Sequence, residues 1–141
     1  MDKEVVVQGF EVPNIPFLTW LGGEFVHAGE GRAELRLPLE PHHRNSWQVS
    51  HGGVIMTLLD VAMSMAARSA HPESAGSATV EMKTTFVRPG QGSVLVVRGY
   101  CYHRSSTMAF CEGELLDDQG LLVAKATGTF KFIKKTVNLA K

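Results

Sequence analysis

The residues best suited to chemistry lie in one stretch, Asn45-Ser46-Trp47-Gln48-Val49-Ser50-His51-Gly52-Gly53-Val54-Ile55-Met56-Thr57-Leu58-Leu59-Asp60. Gly52-Gly53 opens a helical pattern. The first N–H groups of a helix have no partner within it and carry the positive end of its dipole. Glycine lets a ligand atom approach that backbone closely, which suits an oxyanion or a polarised carbonyl. Asp60 stands in the middle of the same, otherwise apolar helix, where an isolated carboxylate is costly. Thr57 and Ser64, at i−3 and i+4, share its face and make a narrow polar stripe. Desolvation there raises a carboxyl pKa toward the range of a base or nucleophile working near neutrality. Asn45 and His51 come just before the helix and place donors beside the glycine N–H groups. Each feature also has a structural reading: a Gly-Gly turn, a partnered Asp60, His51 as a helix cap. Their convergence at one helix favours a site. His42-His43 resembles a metal pair, but no third ligand follows at helical spacing, so a solvated loop and no metal are expected.

The helix that must carry these residues runs from Gly52 to Ala70 and has only Asp60 and Arg68 as charges. A helix apolar on almost every side must be enclosed on almost every side. At 1.5 Å per residue it is roughly 27 Å long, enough to cross a small domain. A short helix is expected over 14–22, with Asn14 at its start, Pro16 in the first turn and Gly22-Gly23 at its end. Strands are expected over 24–29 and 32–39, the second alternating Ala33, Leu35, Leu37 and Leu39 with Glu34, Arg36 and Pro38. Residues 41–50 read as a polar, irregular loop. Strands follow over 77–88, 93–104, 107–117 and 121–133, and their short turns predict an antiparallel meander. The fold class is therefore α+β, a strongly curved antiparallel sheet of some six strands wrapped around one long helix. One sheet cannot cover such a cylinder, so a second subunit is expected on the remaining helix surface and the sheet edges.

At 141 residues the chain is expected to be a single domain over 1–141, with its core at about 14–133. Lysine plus arginine equals aspartate plus glutamate at 14 each, so the basic excess that usually accompanies nucleic-acid binding is absent. Cys101 and Cys111 match no zinc spacing and read as two free, half-buried thiols of a reducing compartment. The N-terminal residues lack the pattern of a signal peptide, and no apolar stretch reaches the roughly 20 residues of a membrane span. A cytoplasmic protein with no membrane partner is expected. The basic run 131–141 reads as a solvated end.

His51-Gly52-Gly53-Val54, followed by Thr57-Leu58-Leu59-Asp60, resembles the signature of hotdog-fold acyl-CoA thioesterases, in the phenylacetate-degradation (PaaI-like) branch of the 4-hydroxybenzoyl-CoA thioesterase superfamily. The resemblance extends from about Asn14 to Ile133. It implies a thioester hydrolase without cofactor, a homodimer often paired into a homotetramer, and active sites across the dimer interface. By resemblance, the Gly52 N–H meets the thioester oxygen and Asn45 positions the carbonyl or the attacking water. Asp60 of the other subunit acts as base or nucleophile, Thr79 helps to hold the water, and His51 orients the thioester. Gly53, Arg88, Pro89, Arg104, Ser105 and Ser106 are the implied contacts to CoA, since arginine pairs with phosphate in a bidentate way and a serine-rich turn offers donors. Trp47-Gln48-Val49-Ser50 is bulkier than the small residues of some relatives and narrows the acyl pocket. A non-catalytic acyl-CoA-binding protein of the same fold is the alternative, and a hotdog hydratase is a third reading that the eight-residue spacing of Gly52 and Asp60 disfavours.

Overall fold

The computed structural model describes residues 5–7 and 10–135, with the side chains of 5–7 excepted. The long helix α2, Gly52–Ala70, lies where the periodicity placed it. A six-stranded antiparallel sheet curves around it, built from β3 (Glu24–Gly29), β4 (Arg32–Pro38), β5 (Gly76–Phe86), β6 (Val94–Arg104), β7 (Met108–Leu116) and β8 (Leu122–Ile133). The inward positions of β4, β6, β7 and β8 (Leu35, Leu37, Leu95, Val97, Leu115, Val123, Phe130) pack on Leu58, Leu59, Ala62 and Met63 of α2, all buried. Burying a side chain of this size contributes roughly 1.5–3 kcal/mol. Close approach of helix and sheet requires glycine at one point. A Cβ at Gly99 would collide with the backbone of Ala62 and Met63. Among the described residues α2 is the one helix long and apolar enough to cross a membrane, contrary to the expectation from sequence, but most of it is packed inside the sheet.

The strand order is β3-β4-β6-β7-β8-β5, so the simple meander expected from the turns holds only for β6, β7 and β8. β5 pairs with β8 instead of its sequence neighbour β6, which pairs with β4. Residues 87–93 therefore cross the end of the sheet, bringing the Gly90 carbonyl to the Ser50 N–H at 2.8 Å. That crossing sets Arg88 to Gly90 beside the head of α2.

The chain before residue 14 adds structure that the sequence did not signal. Strands β1 (Val5–Val7) and β2 (Phe10–Val12) form a small hairpin, and Val12 is buried among Ala28, Ala33, Met65 and Ala66. Helix α1 is Pro16–Leu21, starting after Ile15, not at Asn14. Asn14 instead accepts a hydrogen bond from the Thr19 hydroxyl at 3.3 Å. Its end follows expectation, with Gly22 left-handed at φ 91°.

The expected solvated loop over 41–50 contains a correction. His43 is fully buried, in a 3-10 turn at Pro41–His43. Its Nδ1 accepts from the Glu40 N–H at 3.0 Å and its Nε2 meets the Leu21 carbonyl at 2.6 Å. It fastens α1 to the loop. The basic end is also shorter than expected, because residues 131–133 finish β8, while 136–141 lie outside the described residues.

Candidate active site

The head of α2 is prepared for one free donor. His51 is the N-cap residue, and its Nδ1 accepts from the Gly53 N–H at 2.8 Å. Accepting there leaves the neutral ring with its proton on Nε2, pointing away from the helix. The His51 carbonyl takes the N–H groups of Val54 and Ile55 at 3.0 and 3.3 Å, and the His51 N–H donates to the buried His43's carbonyl at 2.8 Å. Among the described residues, Gly52 is thus the member of the first helical turn whose N–H has no partner. The Gly53 N–H is engaged by the cap.

Asn45 stabilises the loop that leads to this point. Its Oδ1 accepts from the N–H groups of Trp47 at 2.9 Å and Val49 at 3.4 Å, and its backbone N–H donates to the Val49 carbonyl at 2.8 Å. Gln48, at the tip, has φ 63°, an uncommon conformation for a side chain of its kind. The loop holds the Trp47 indole 83% exposed. Asn45, Trp47, Val49, Gly52, Ile55, Phe86, Val87, Arg88 and Pro89 line one open groove of about 690 Å³. Its walls are mainly apolar, with the Gly52 N–H, the Asn45 amide and Arg88 as polar groups. Arg88 Nη1 donates to the Leu122 carbonyl at 2.6 Å, which fixes its position.

Asp60 is half-buried and receives the Thr79 hydroxyl at 2.7 Å on Oδ1. The two residues expected to share its face are engaged elsewhere. The Thr57 hydroxyl donates to the Gly53 carbonyl at 2.8 Å, and the Ser64 hydroxyl meets that of Ser77 at 2.9 Å. Gly53, Met56, Thr57, Asp60, Ser64 and Arg68 are among the residues of α2 that this chain's sheet leaves incompletely covered. A β-bulge in β5 determines which residues reach it. Ser77 and Thr79 face α2 before the bulge at Val80; after it Met82 joins the core and Phe86 approaches Gly52. The extra residue reverses the alternation, so both ends of one strand line the helix.

Gly52 and Asp60 are eight residues apart on one helix, about 12 Å along its axis, so within one chain they cannot act on the same atom. Arg104, Ser105 and Ser106 lie farther still, at the β6–β7 hairpin beside the end of β8, whereas Arg88 sits at the start of β8. The Ser105 hydroxyl there accepts the N–H groups of Thr107 at 3.2 Å and Met108 at 3.0 Å. The structure thus brings Asn45, Gly52, Arg88 and Pro89 together, holds Asp60 with Thr79 separately, and leaves the hairpin apart from both. Phe86 and Val87 are groove residues that the sequence reading did not single out. Their signal was the bulge, which no local motif announces. A smaller hollow of about 240 Å³, on the sheet face turned away from α2, includes Arg98, which pairs with Glu34 at 3.0 Å, and Arg32, which lies over the Tyr100 ring.

Residues 48–124 match the Thioesterase superfamily. The chain is 25% identical over 134 residues to the medium/long-chain acyl-CoA thioesterase YigI of Escherichia coli strain K12, covering 84% of this chain and 86% of that one. Among solved structures it is similar to a conserved protein of Pseudomonas aeruginosa, at 31% identity and TM-score 0.80, covering 85% of this chain and 95% of that one. It is also similar to a Bacillus halodurans protein crystallised with CoA, at 30% identity and TM-score 0.79, covering 86% and 81%. The match runs through the head of α2, the bulged strand and the crossing segment. The chain belongs to the thioesterase superfamily and has its hotdog fold.

Proposed function

We propose that this protein hydrolyses acyl-CoA thioesters to the free acid and CoA, in sites each shared by two copies of the chain. The observation that carries the proposal is the pair of half-sites on α2, an unpartnered Gly52 N–H at its head and a Thr79-held Asp60 about 12 Å away. A two-fold axis between two antiparallel β5 edges exchanges the ends of the strand. It sets the Gly52–Phe86 end of one copy beside the Asp60–Thr79 end of the other, twice per dimer. The edge suits such pairing, because β5 has a partner strand on one side only, and Val80 and Phe86 stay 56% and 49% exposed.

In that arrangement the thioester carbonyl lies against Gly52, whose N–H stabilises the oxyanion as it forms. The Asn45 amide, whose oxygen is already occupied, offers its NH₂ to the carbonyl or the water. Asp60 of the second copy takes the proton from the water, or attacks directly, while the Thr79 hydroxyl fixes the orientation of the carboxylate. The exposed Nε2–H of His51 orients the thioester. Arg88 and Pro89 of one copy and Arg104, Ser105 and Ser106 of the other meet the phosphates and pantetheine of CoA. The Trp47 and Phe86 walls favour an apolar acyl group. The proposal includes no cofactor, and its setting is the cytoplasm, where acyl-CoA is formed. Pairing of two dimers into a tetramer belongs to the same proposal.

Thiol release from a panel of acyl-CoAs, aromatic through long-chain, tests it. Wild type hydrolyses at least one, and Asp60→Asn lowers kcat by at least about a hundredfold, the size of a lost general base, with little change in KM. An unchanged rate in Asp60→Asn removes Asp60 from the mechanism. Binding of CoA esters without any turnover identifies instead an acyl-CoA-binding protein.

A further inference from the structure

We propose that Cys101 and Cys111 form a reversible dithiol–disulfide site, oxidised by a small disulfide such as oxidised glutathione and independent of the thioesterase chemistry. The two cysteines are direct cross-strand partners of β6 and β7. Both side chains are on the α2 side, Cys111 fully buried and Cys101 half-buried. Antiparallel pairs alternate between two spacings, and which one applies here follows from one hydrogen bond. The Cys101 N–H donates to the Gly31 carbonyl at 2.8 Å, on the side of β6 away from β7. In an antiparallel strand the N–H and C=O of a residue point to the same side, so this pair exchanges no backbone hydrogen bonds with β7. Such pairs have Cα atoms about 4.5 Å apart with side chains close together, within the range of about 4.4–6.8 Å that a disulfide spans. The Cys101 thiol donates to the His103 carbonyl at 3.4 Å. Across β8, Cys111 is paired with Gly128, over which Phe130 and Met63 pack.

The two sulfurs have different chemistry. The neighbouring Cys111 thiol, helped by backbone groups of His103 and Phe110 and by Arg104, outweighs burial and lowers Cys101 to about 7. Cys111 is pushed up, first by the neighbouring Cys101 and then by burial. Cys101, at the more accessible end, is the attacking thiolate. It attacks one sulfur of the oxidant, forming a mixed disulfide and releasing one thiolate. Cys111 then attacks the Cys101 sulfur, passes its proton to the departing second thiolate, and closes the Cys101–Cys111 bond. Two protein thiols are oxidised and one small disulfide is reduced to two thiols.

The test treats reduced, full-length protein with excess oxidised glutathione and reads intact mass and a non-reducing peptide map. The expected product is a chain lighter by about 2 Da, the mass of two hydrogens, with 101- and 111-containing peptides linked within one chain and released by dithiothreitol. Cys111→Ala stops at a single glutathione adduct on Cys101, and Cys101→Ala remains unmodified over the same time. A wild-type protein that accumulates the stable adduct, or keeps both thiols free at complete equilibration, overturns the proposal. So does a linkage found only between chains. The wild-type map depends on no variant folding, and its result is separate from that of the thiol-release assay.

Discussion

The Gly52 N–H can be deleted with little other change, which makes it the sharpest residue to test. Gly52 is the first residue of α2, a position where proline is well tolerated because its missing N–H is unpaired anyway. His51 before it is extended at φ −62° and ψ 137°, the conformation that a following proline prefers. Gly52→Pro should therefore keep the fold, seen as an unchanged circular dichroism spectrum and melting temperature. It should lower kcat about 10²–10³-fold, the typical cost of one oxyanion donor. An unaffected kcat would place the carbonyl elsewhere. Cys101 offers a second measurement at this scale. Its thiol is lowered to about 7, so the thiolate fraction rises through that pH and is nearly complete above it. Alkylation by iodoacetamide should show a midpoint near pH 7, below the ordinary thiol at about 8.5. Cys111→Ala, which removes the largest cause, should move the midpoint upward. Residue type and spacing made Gly52, Asp60 and Asn45 the candidates, and the structure shows where each of them sits. The burial of His43 could not, because its two partners, Glu40 and Leu21, come from the turn and from α1.

Elements place these residues through two features that break regular patterns. The bulge at Val80 lets β5 present Thr79 and Phe86 to the same helix, and the crossing of 87–93 brings Arg88 to its head. The boundaries of α2 and of the main strands were legible to within two residues, since apolar periodicity reports which face of an element is buried. Strand order was not legible, because a short connection after β5 reads as a hairpin turn whether the next strand lies beside it or across the sheet. The contact of α2 with β6 is tight enough to predict the effect of one methyl group. Gly99→Ala drives a Cβ into the Ala62 and Met63 backbone, and the helix must shift. Overpacking of this kind costs typically about 1–3 kcal/mol, which a denaturant titration would measure as a lower midpoint at constant slope. Wild-type stability in Gly99→Ala would mean that the helix rides higher than described.

At the scale of the whole molecule, the proposed site requires two chains. Gly52→Pro and Asp60→Asn each disable both sites of a homodimer. In a mixed dimer, one shared site carries both changes and the other carries neither. Denaturing and refolding the two variants together at equal concentration should restore about one quarter of wild-type activity, because half of the dimers are mixed and each has one intact site. Sites contained within one chain would show no recovery. Sedimentation of the wild type should give at least a dimer, held by the β5 edge that the isolated chain leaves open.

The sequence by itself determined the enclosed helix and the curved sheet around it, and it named the candidate residues at the helix head. Those depend on local periodicity, helix-end physics and the cost of an isolated carboxylate, all of which are written in neighbouring residues. Only the tertiary structure decided that β5 joins β8, that His43 is a buried fastener, and that Trp47, Phe86 and Arg88 share a groove with Gly52. It also decided that Thr79 is the hydroxyl on Asp60, while Thr57 and Ser64 are occupied elsewhere. These are meetings of residues far apart in the chain, and they follow from a bulge and a crossing whose energies are set by packing of the complete fold.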